Sequence, residues 1–491
     1  MDNISNKIHS VTKKQILFGM GWSSLSTLVN GITQILRLSI LSRFLEKGDF
    51  GIVAILTFIS GLIQVFSDMG FSAAIMSQKN ISKSEFLSLY WFQFLVFNFS
   101  FAVICCLAYP ISSYYDMPSL LILIPIMLFE LPLLGIGKLY DTVLQKLMLF
   151  KVIAIRNIIA SLLSLILGII LAILNFGVYS FIISILFNTF IVNVLNFIKG
   201  QREYKINLQK IDFKSIKELI RVGIYQMGTQ ILDYLSSKLD IIIISVSLGT
   251  EILGIYNLAK ELVLKLVMVI NVVSGRVMLP LLAKYQENLD ELKQIFMKFI
   301  SKLILVNAPI VGFVFLFGVE IIQLFYGAKY IEAVPIVKVL SVWSIFVVLS
   351  MPNNFVAIVL KKTEITFVYT IVRIIIMSFL LYIFAKTSAL YAAFTMLGTY
   401  AIMFIINWYM LLKNTLDLSF QELFCIIYKP LTYYFVTISV ATIILYYLKF
   451  DNVFVINIIK LILYLLSFCA YLYFLERKTF VFLFRHIYKK L

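Results

Sequence analysis

Apolar stretches of about 20 residues recur from one end of this 491-residue chain to the other, separated by short polar connections. A stretch of that length is what an α-helix needs to cross the roughly 30 Å hydrocarbon core of a bilayer. The hydrophobic content of 61% and the mean hydropathy of +0.98 exclude a soluble globular protein. Because barrel strands are only about 10 residues long, the pattern predicts an all-α polytopic membrane protein.

The apolar windows predict about fourteen transmembrane helices. Their expected limits are 16–42, 50–70, 86–113, 119–140, 152–174, 177–198, 219–247, 252–280, 298–318, 333–360, 365–385, 388–412, 430–448 and 453–475. No connection is longer than about 20 residues, well below the roughly 50 that an independent domain requires. Any function should therefore reside in the helical bundle.

Loop charges predict the orientation of the chain. With the N-terminus inside, the cytoplasmic segments hold about 27 Lys and Arg residues and the opposite loops hold about 5. The first apolar run follows Lys13 and Lys14 and continues to Leu41 without a small-residue cleavage site, so it predicts a span and not a removed signal. Both termini are expected to be cytoplasmic.

Polar stripes indicate an internal repeat. A shift of 203 positions pairs residues of the first expected span with the seventh: Ser23 with Gln226, Thr27 with Gln230, Asn30 with Asp233, Gln34 with Ser237, and Arg37 with Asp240. The same shift pairs Gly51 with Gly254 and Asp68 with Asn271. Steps of three and four residues keep each stripe on one helical face. Six spans separate the copies, which predicts two six-helix lobes in a parallel pseudo-twofold repeat plus two C-terminal helices.

This repeat predicts an N-lobe over residues 1–200, a C-lobe over 201–415, and two extra spans with a cytoplasmic tail over 416–491. In transporters built from repeats, the substrate site lies between the lobes near the bilayer midplane. The alternative is that the first and seventh spans merely pack through small and polar residues.

Several cations lie inside apolar runs, in a chain of formal net charge +17. A charged side chain at the bilayer centre costs about 2.5 to 3.5 kcal/mol even on the mildest scale, so such residues mark wet, functional cavities. The cations that remain after the loops are counted are Arg37, Lys138, Arg156, Lys238, Lys260, Lys265, Arg276, Lys338, Arg373 and Lys460. The charges nearest the midplane are Lys260, Lys265, Arg373, Glu130, Asp233 and Glu261.

Each buried charge also has a plainer interpretation. Arg156, Arg276 and Lys338 lie close to span ends, from which long side chains snorkel to the interface; for Arg37 and Lys138 snorkelling and cavity lining both stay open. Glu261 and Lys265 are spaced as a helical ion pair, an alternative to substrate contact. Lys238 lies beside Asp233 and Asp240 and has local neutralisation as its alternative. Asp68 is either a helix-end group or a ligand for a coupling ion.

Cysteine and histidine usage excludes several classes of function. The cysteines are Cys105, Cys106, Cys425 and Cys469, all in apolar surroundings and without metal-ligand spacing. Both histidines, His9 and His486, lie near the chain ends, which removes the commonest general base from the membrane interior. The sequence therefore predicts neither a cofactor nor an enzyme.

The sequence resembles a known family of transporters. The segments that carry the resemblance are LSRFLEKGDFGIVAI (41–55), FSDMGFSAAIMSQ (66–78), LQKLMLFK (144–151), DIIIISVSLGTEILGIYNLAKEL (240–262), MLPLLAKY (278–285) and LFYGAKY (324–330). They are similar to oligosaccharide flippases of the Wzx type, in the multidrug/oligosaccharidyl-lipid/polysaccharide exporter superfamily. Each motif is short, but the resemblance covers nearly the whole chain.

The resemblance implies movement of undecaprenyl-pyrophosphate-linked oligosaccharide repeat units from the cytoplasmic to the outer leaflet of a bacterial inner membrane, for O-antigen, capsule or exopolysaccharide synthesis. It further implies a cationic cavity, coupling to an H⁺ or Na⁺ gradient in some members, and a polysaccharide polymerase and chain-length machinery as partners, with no nucleic acid. A lipid II or other polyprenyl-lipid flippase and a drug or cation exporter are the alternatives. A drug exporter should carry uncompensated buried acids, whereas here cations lie near almost every buried acid in the sequence.

Two sets of candidate residues follow. The expected substrate-binding residues are Asn30, Gln34, Arg37, Lys138, Gln230, Asp233, Lys238, Lys260, Lys265 and Arg373. The acids expected to bind a coupling ion or to serve structure are Asp68, Glu130, Asp240 and Glu261. Lys and Arg suit a diphosphate because they offer charge-assisted hydrogen bonds.

Overall fold

A computed structural model describes residues 13–77, 82–202, 205, 212–447 and 453–475. The predicted cytoplasmic ends of the chain lie largely outside these residues, as does most of the linker after Lys199. Throughout the described part the regular structure is helical, without a strand. The all-α prediction is therefore confirmed for this part of the chain.

The helices are numbered here in chain order. They are α1 (Lys13–Leu41), α2 (Lys47–Asp68), α3 (Phe71–Ser77), α4 (Lys83–Tyr114), α5 (Leu120–Leu128), α6 (Glu130–Lys146), α7 (Phe150–Ile173), α8 (Val178–Gly200), α9 (Phe213–Lys284), α10 (Leu289–Leu316), α11 (Gly318–Phe325), α12 (Val334–Val359), α13 (Thr363–Phe384), α14 (Ala389–Asn407), α15 (Asn414–Leu416), α16 (Phe420–Tyr447) and α17 (Val453–Leu475). A 3₁₀ turn (Ala328–Ala333) precedes α12, and a π-helix (Trp408–Lys413) follows α14.

Among the described residues, ten helices are long and apolar enough to cross a membrane. One of them, within α9, contains parts of the seventh and eighth expected spans, which meet at Gly249. Gly249 has φ 81° and ψ 175°, a conformation that residues with a Cβ rarely adopt, so the chain turns there between two helical stretches. The predicted membrane class is confirmed, whereas the count of fourteen spans is not.

The chain divides into two compact units. Unit 1 comprises residues 1–258, 325–327 and 370–392, and unit 2 comprises 259–324, 328–369 and 393–491. This division groups helices that pack together, whereas each predicted lobe groups six consecutive spans that the repeat relates to the six spans of the other lobe. The boundaries at residues 200 and 415 therefore stay a prediction.

Each unit has its own apolar core. In unit 1, a cluster rich in aromatic side chains includes Phe71, Phe86, Tyr90 and Tyr140. In unit 2, the largest cluster is drawn from α9, α10, α12, the segment from 404 to 418, and α16, with Phe296 and Leu349 among its buried members. Outward-facing apolar side chains remain widely exposed, as expected of surfaces that face lipid.

Helix α2 packs against α9 at both of its ends. Near its start, a Cβ on Gly51 would overlap the carbonyl of Thr250, and a Cβ on Gly254 would overlap the carbonyl of Lys47. Just beyond its end, a Cβ on Gly70 would overlap the carbonyl of Gly223. At both places the absence of a side chain allows two backbones to approach closely.

Between these crossings, Tyr234 of α9 lies across the middle of α2. Its hydroxyl is 3.0 Å from the Phe58 carbonyl oxygen and 3.3 Å from that of Thr57, to which it can donate. Its ring stacks on Phe58, with centroids 5.9 Å apart, and covers Gly61. Both crossings and the tyrosine lie within unit 1, so α2 is held along its length by one partner helix.

Candidate functional site

Among the buried cations that the structure describes in unit 1, Arg37 is the one without an acidic partner. Its side chain is only 9% exposed, and its Nη2 donates to Ser164 Oγ at 2.6 Å. The Nε atom of Arg37 is buried without a hydrogen-bond partner, and no acid within the described residues forms an ion pair with it. Asn188 also donates to Ser164 Oγ, at 3.3 Å. A guanidinium held by neutral groups keeps its full charge available for an anion.

Three other residues of unit 1 that are expected to bind substrate are less buried than Arg37. Asn30 is half-buried, with its Oδ1 buried and unpartnered, and Gln34 is exposed on the same face of α1 as Arg37. Lys138 is half-buried, and no ion pair to it is found in the part of the chain that the structure describes. The structure shows no contact between Lys138 and Arg37.

Helices α9 and α13 bring a second group of predicted residues together. Arg373 donates from Nε to Ser236 Oγ at 2.6 Å, and its Nη2 lies 3.9 Å from Asp233 Oδ1. Thr370 donates to the same Asp233 oxygen at 3.2 Å. The Asp233 side chain is 59% exposed and that of Arg373 is 15% exposed, so the pair is accessible from the Asp233 side.

Three further residues of α9 are assigned to the site by the sequence. Asp240 is fully buried and accepts a hydrogen bond from the Tyr256 hydroxyl at 2.8 Å. Gln230 and Lys238 are half-buried. The side chains of Gln226 and Asn271, which entered the repeat argument, lie outside the described residues.

In unit 2, the predicted charges of α9 are engaged within the unit. Lys260 is 3% exposed, and its Nζ lies 5.8 Å from the centre of the Trp343 ring, within reach of a cation–π interaction. Lys265 Nζ lies 3.6 Å from Glu261 Oε2, one turn of helix apart. The ion-pair alternative for Glu261 and Lys265 is thus observed, and their role in substrate binding stays a prediction.

The buried acids of unit 1 differ from the expectation. Asp68 accepts from Ser72 Oγ at 2.8 Å and Gln93 Nε2 at 3.3 Å. Glu130 accepts from two hydroxyls and, like Asp68, has no ion pair within the described residues. The expectation that a cation lies beside almost every buried acid is therefore wrong for these two, because neutral donors satisfy them. No cluster of His, Cys, Asp or Glu suited to a metal occurs in the described part.

Sequence reasoning missed a buried polar cluster at one end of α6, α7 and α8. Arg156 was expected to snorkel outward, but it is 6% exposed and pairs with Asp141, with Nη2 to Oδ1 at 2.9 Å. Its guanidinium also bonds the side chains of Asn157 and Asn196. Asp141 and Asn196 lie on separate helices far from Arg156 in sequence, so no periodicity could have revealed the partners.

The long apolar helices define a polytopic membrane protein, and the buried guanidinium of Arg37 is of the kind that marks functional sites in such proteins. Residues 40–335, more than half of the chain, match the family model described as polysaccharide biosynthesis protein, and the chain belongs to that family.

Relatives and solved structures agree with this assignment. The chain is 26% identical over 431 residues to the teichuronic acid biosynthesis protein TuaB of Bacillus subtilis, covering 86% of this chain and 87% of that one. It is 22% identical over 373 residues to the lipopolysaccharide biosynthesis protein WzxC of Escherichia coli, covering 73% of each. Its fold resembles the lipid II flippase MurJ in an inward closed conformation, with a TM-score of 0.76 at 14% identity over 93% of this chain and 99% of that one.

Proposed function

We propose that this protein translocates undecaprenyl-pyrophosphate-linked oligosaccharide repeat units from the cytoplasmic to the outer leaflet of the bacterial inner membrane. Transport proceeds by alternating access through a cationic cavity, with both chain termini in the cytoplasm. The product supplies O-antigen, capsule or exopolysaccharide synthesis, so a polysaccharide polymerase and its chain-length machinery are the expected partners. Membership of the polysaccharide biosynthesis family supports the substrate class.

The observation that carries the proposal is the unpaired, buried guanidinium of Arg37. A buried cation without a counter-ion is costly to maintain, and such residues in membrane proteins typically serve a ligand. A diphosphate offers several acceptor oxygens to the planar guanidinium fork, whereas a neutral or cationic cargo offers none with matching charge. The polyprenyl tail can stay in lipid while the diphosphate and sugars follow the hydrated path.

The proposal is tested by deleting the gene in its own host and locating the lipid-linked repeat units. We expect surface polysaccharide to be lost and the lipid-linked units to accumulate on the cytoplasmic face. Normal surface polysaccharide in the deletion strain, or repeat units distributed as in the parent, would overturn it.

Complementation then tests the role of Arg37. Wild-type protein should restore export, Arg37→Gln should not, and Arg37→Lys should restore it only partly because Lys lacks the guanidinium fork. Arg43→Gln is the matched control, since Arg43 is an exposed guanidinium just beyond the end of the same helix. Equal export by the Arg37→Gln and Arg43→Gln variants, both present in the membrane at wild-type level, would remove Arg37 from the substrate path.

A drug or cation exporter is the second candidate, and the cation-free carboxyl groups of Asp68 and Glu130 favour it. It predicts that deletion raises sensitivity to cationic dyes and leaves surface polysaccharide unchanged. The two measurements on one deletion strain therefore separate the candidates.

A further inference from the structure

Glu130 is a buried carboxyl group that the cation-based substrate site does not use. It is the first residue of α6, where the helical path from α5 is interrupted at Phe129 between Pro125 and Pro132. Proline removes a backbone donor and opens the helix locally. The Glu130 side chain is only 8% exposed, in the interior of unit 1.

Three neutral side chains from two other helices surround this carboxyl group. Ser60 Oγ donates to Glu130 Oε2 at 2.8 Å, and Thr189 Oγ1 donates to Oε1 at 2.8 Å. Gln64 Nε2 in turn donates to Ser60 Oγ at 3.0 Å, which directs the serine hydrogen towards the carboxylate. Each carboxyl oxygen thus has one hydroxyl partner.

The charged groups of the surrounding helices lie well away along their axes. At 1.5 Å of rise per residue, Asp68 lies roughly 12 Å along α2 from Ser60, Lys138 roughly 12 Å along α6 from Glu130, and Lys199 roughly 15 Å along α8 from Thr189. Helix α4 approaches through Phe101, whose ring meets that of Phe129 at 6.0 Å. The titratable groups that follow on α4 are the thiols of Cys105 and Cys106, and on α7 Arg156 is paired with Asp141.

The two hydroxyls suit a group that exists in two protonation states. A carboxylate out of water without a counter-cation is costly, and uptake of a proton removes that cost. A hydroxyl can donate to the ionised form or accept from the protonated form. When it accepts, a Ser or Thr on a helix can send its own hydrogen to the carbonyl four residues earlier. Ser60 and Thr189 can therefore satisfy Glu130 in either state without a change of fold.

We propose that Glu130 is a proton-binding site within unit 1, served by Ser60, Thr189 and Gln64, and that its proton is the coupling ion of the transporter. A proton from water on one side of the membrane adds to a carboxylate oxygen of Glu130, and the same proton is later released to water on the opposite side. A sodium ion fits less well, because both hydroxyls turn their hydrogens to the carboxylate and Gln64 occupies a lone pair of Ser60.

Only the coupling role rests on the proposed function, and proton binding itself can be measured on the purified full-length protein without substrate. Infrared difference spectra over a pH titration should show a protonated carboxylic acid signal that disappears as pH rises. The Glu130→Gln variant should lose that component. The matched control Glu320→Gln should keep it, because the Glu320 carboxylate is already paired with Lys460 at 2.6 Å.

A second variant keeps the test decisive if Glu130→Gln does not fold. Thr189→Val removes one O–H partner and should shift the frequency of the same component. A titrating signal that persists in Glu130→Gln, no such signal in the wild type, or no shift in Thr189→Val would each overturn the proposal. If the wild type binds radioactive sodium and Glu130→Gln does not, the site binds sodium and the proton proposal is overturned. Loss of polysaccharide export in Glu130→Gln, with partial recovery in Glu130→Asp, would support the coupling role.

Discussion

Gly51 and Gly254, which a shift of 203 positions pairs in the sequence, lie against each other in the fold. An ideal Cβ on Gly254 would lie 3.0 Å from the Gly51 nitrogen and would overlap the Lys47 carbonyl. Lys47 also lies 3.8 Å from Glu251 across the same crossing, measured from Nζ to Oε1. The crossing joins the start of α2 to the second part of α9, so two glycines that the predicted repeat pairs are in direct contact.

In the proposed orientation this crossing lies at the outer end of α2. Gly51→Ala should separate the backbones, with a cost of about 1 to 3 kcal/mol typical of overpacking, and should lower the thermal unfolding midpoint of the purified protein. If the protein works by the proposed alternating access, export should fall as well, because close packing at this end would be needed in one state of the cycle.

Gly48→Ala is the control for this prediction, since a Cβ at Gly48 meets only Thr250 Oγ1 at 3.9 Å, an ordinary contact. Equal unfolding midpoints for the two variants would show that the close approach at Gly51 does not contribute to stability.

The opposite end of α2 should be equally sensitive. Gly70 has φ +66°, and its Cβ would overlap the Gly223 carbonyl, so Gly70→Ala combines backbone strain with a clash. Left-handed strain alone costs roughly 1 kcal/mol or more for a residue with a Cβ. We expect Gly70→Ala to be destabilised in thermal unfolding and Gly228→Ala, at a glycine with open space around its Cβ, to behave as wild type. A Gly70→Ala midpoint equal to that of Gly228→Ala would contradict the crossing.

An acid-sensitive contact ties α10 to the start of α16. The Ser419 backbone N–H, followed by Lys293 and the Ser419 hydroxyl, holds the pKa of Glu422 below its ordinary value. Because the folded pKa is the lower one, the stabilisation is complete above the unfolded pKa of about 4.3 and is lost as the pH falls through the folded value. Hydrogen exchange of the amides at 419–423 should therefore accelerate at acidic pH beyond its intrinsic change.

Glu422→Gln should remove that acid-dependent component. Glu364→Gln, at an exposed glutamate in the first turn of α13, is the control. If the amides at 419–423 still exchange faster at acidic pH in Glu422→Gln, a titratable group other than Glu422 is responsible.

The sequence was sufficient for those features that depend on spacing along one helix. Apolar runs located the helices, and the spacing of Glu261 and Lys265 indicated their ion pair, because both depend only on the helical repeat. The pairing of Gly51 with Gly254 also came from a constant shift, although their direct contact did not.

Contacts between distant helices could not be inferred from spacing. Arg156 was expected at an interface and is buried against Asp141, and the position of Lys260 beside the Trp343 ring was not predicted. A single sequence does not determine the rotation of each helix about its axis, and that rotation decides whether a charge meets water, an acid or an aromatic ring.

The Arg373 and Asp233 pair is the sharpest test of the predicted cavity. If Arg373 serves the substrate diphosphate, Arg373→Glu should abolish polysaccharide export with the protein still inserted, because it places a second acid beside Asp233. The exchanged variant Asp233→Arg with Arg373→Glu restores the charge pair but not the guanidinium on Ser236, so it should regain little export.

The matched control is the exchange Glu320→Lys with Lys460→Glu, in which both partners are partly exposed and neither belongs to the expected substrate-binding or coupling-ion residues. Such pairs contribute only about 0 to 1 kcal/mol, so this exchange should leave both expression and export close to wild type. Full recovery of export by the exchanged Asp233 and Arg373 variant would identify that pair as structural, since charge balance alone would then suffice. Normal export by Arg373→Glu would exclude Arg373 from transport altogether, because a reversed charge beside the diphosphate path would repel the substrate.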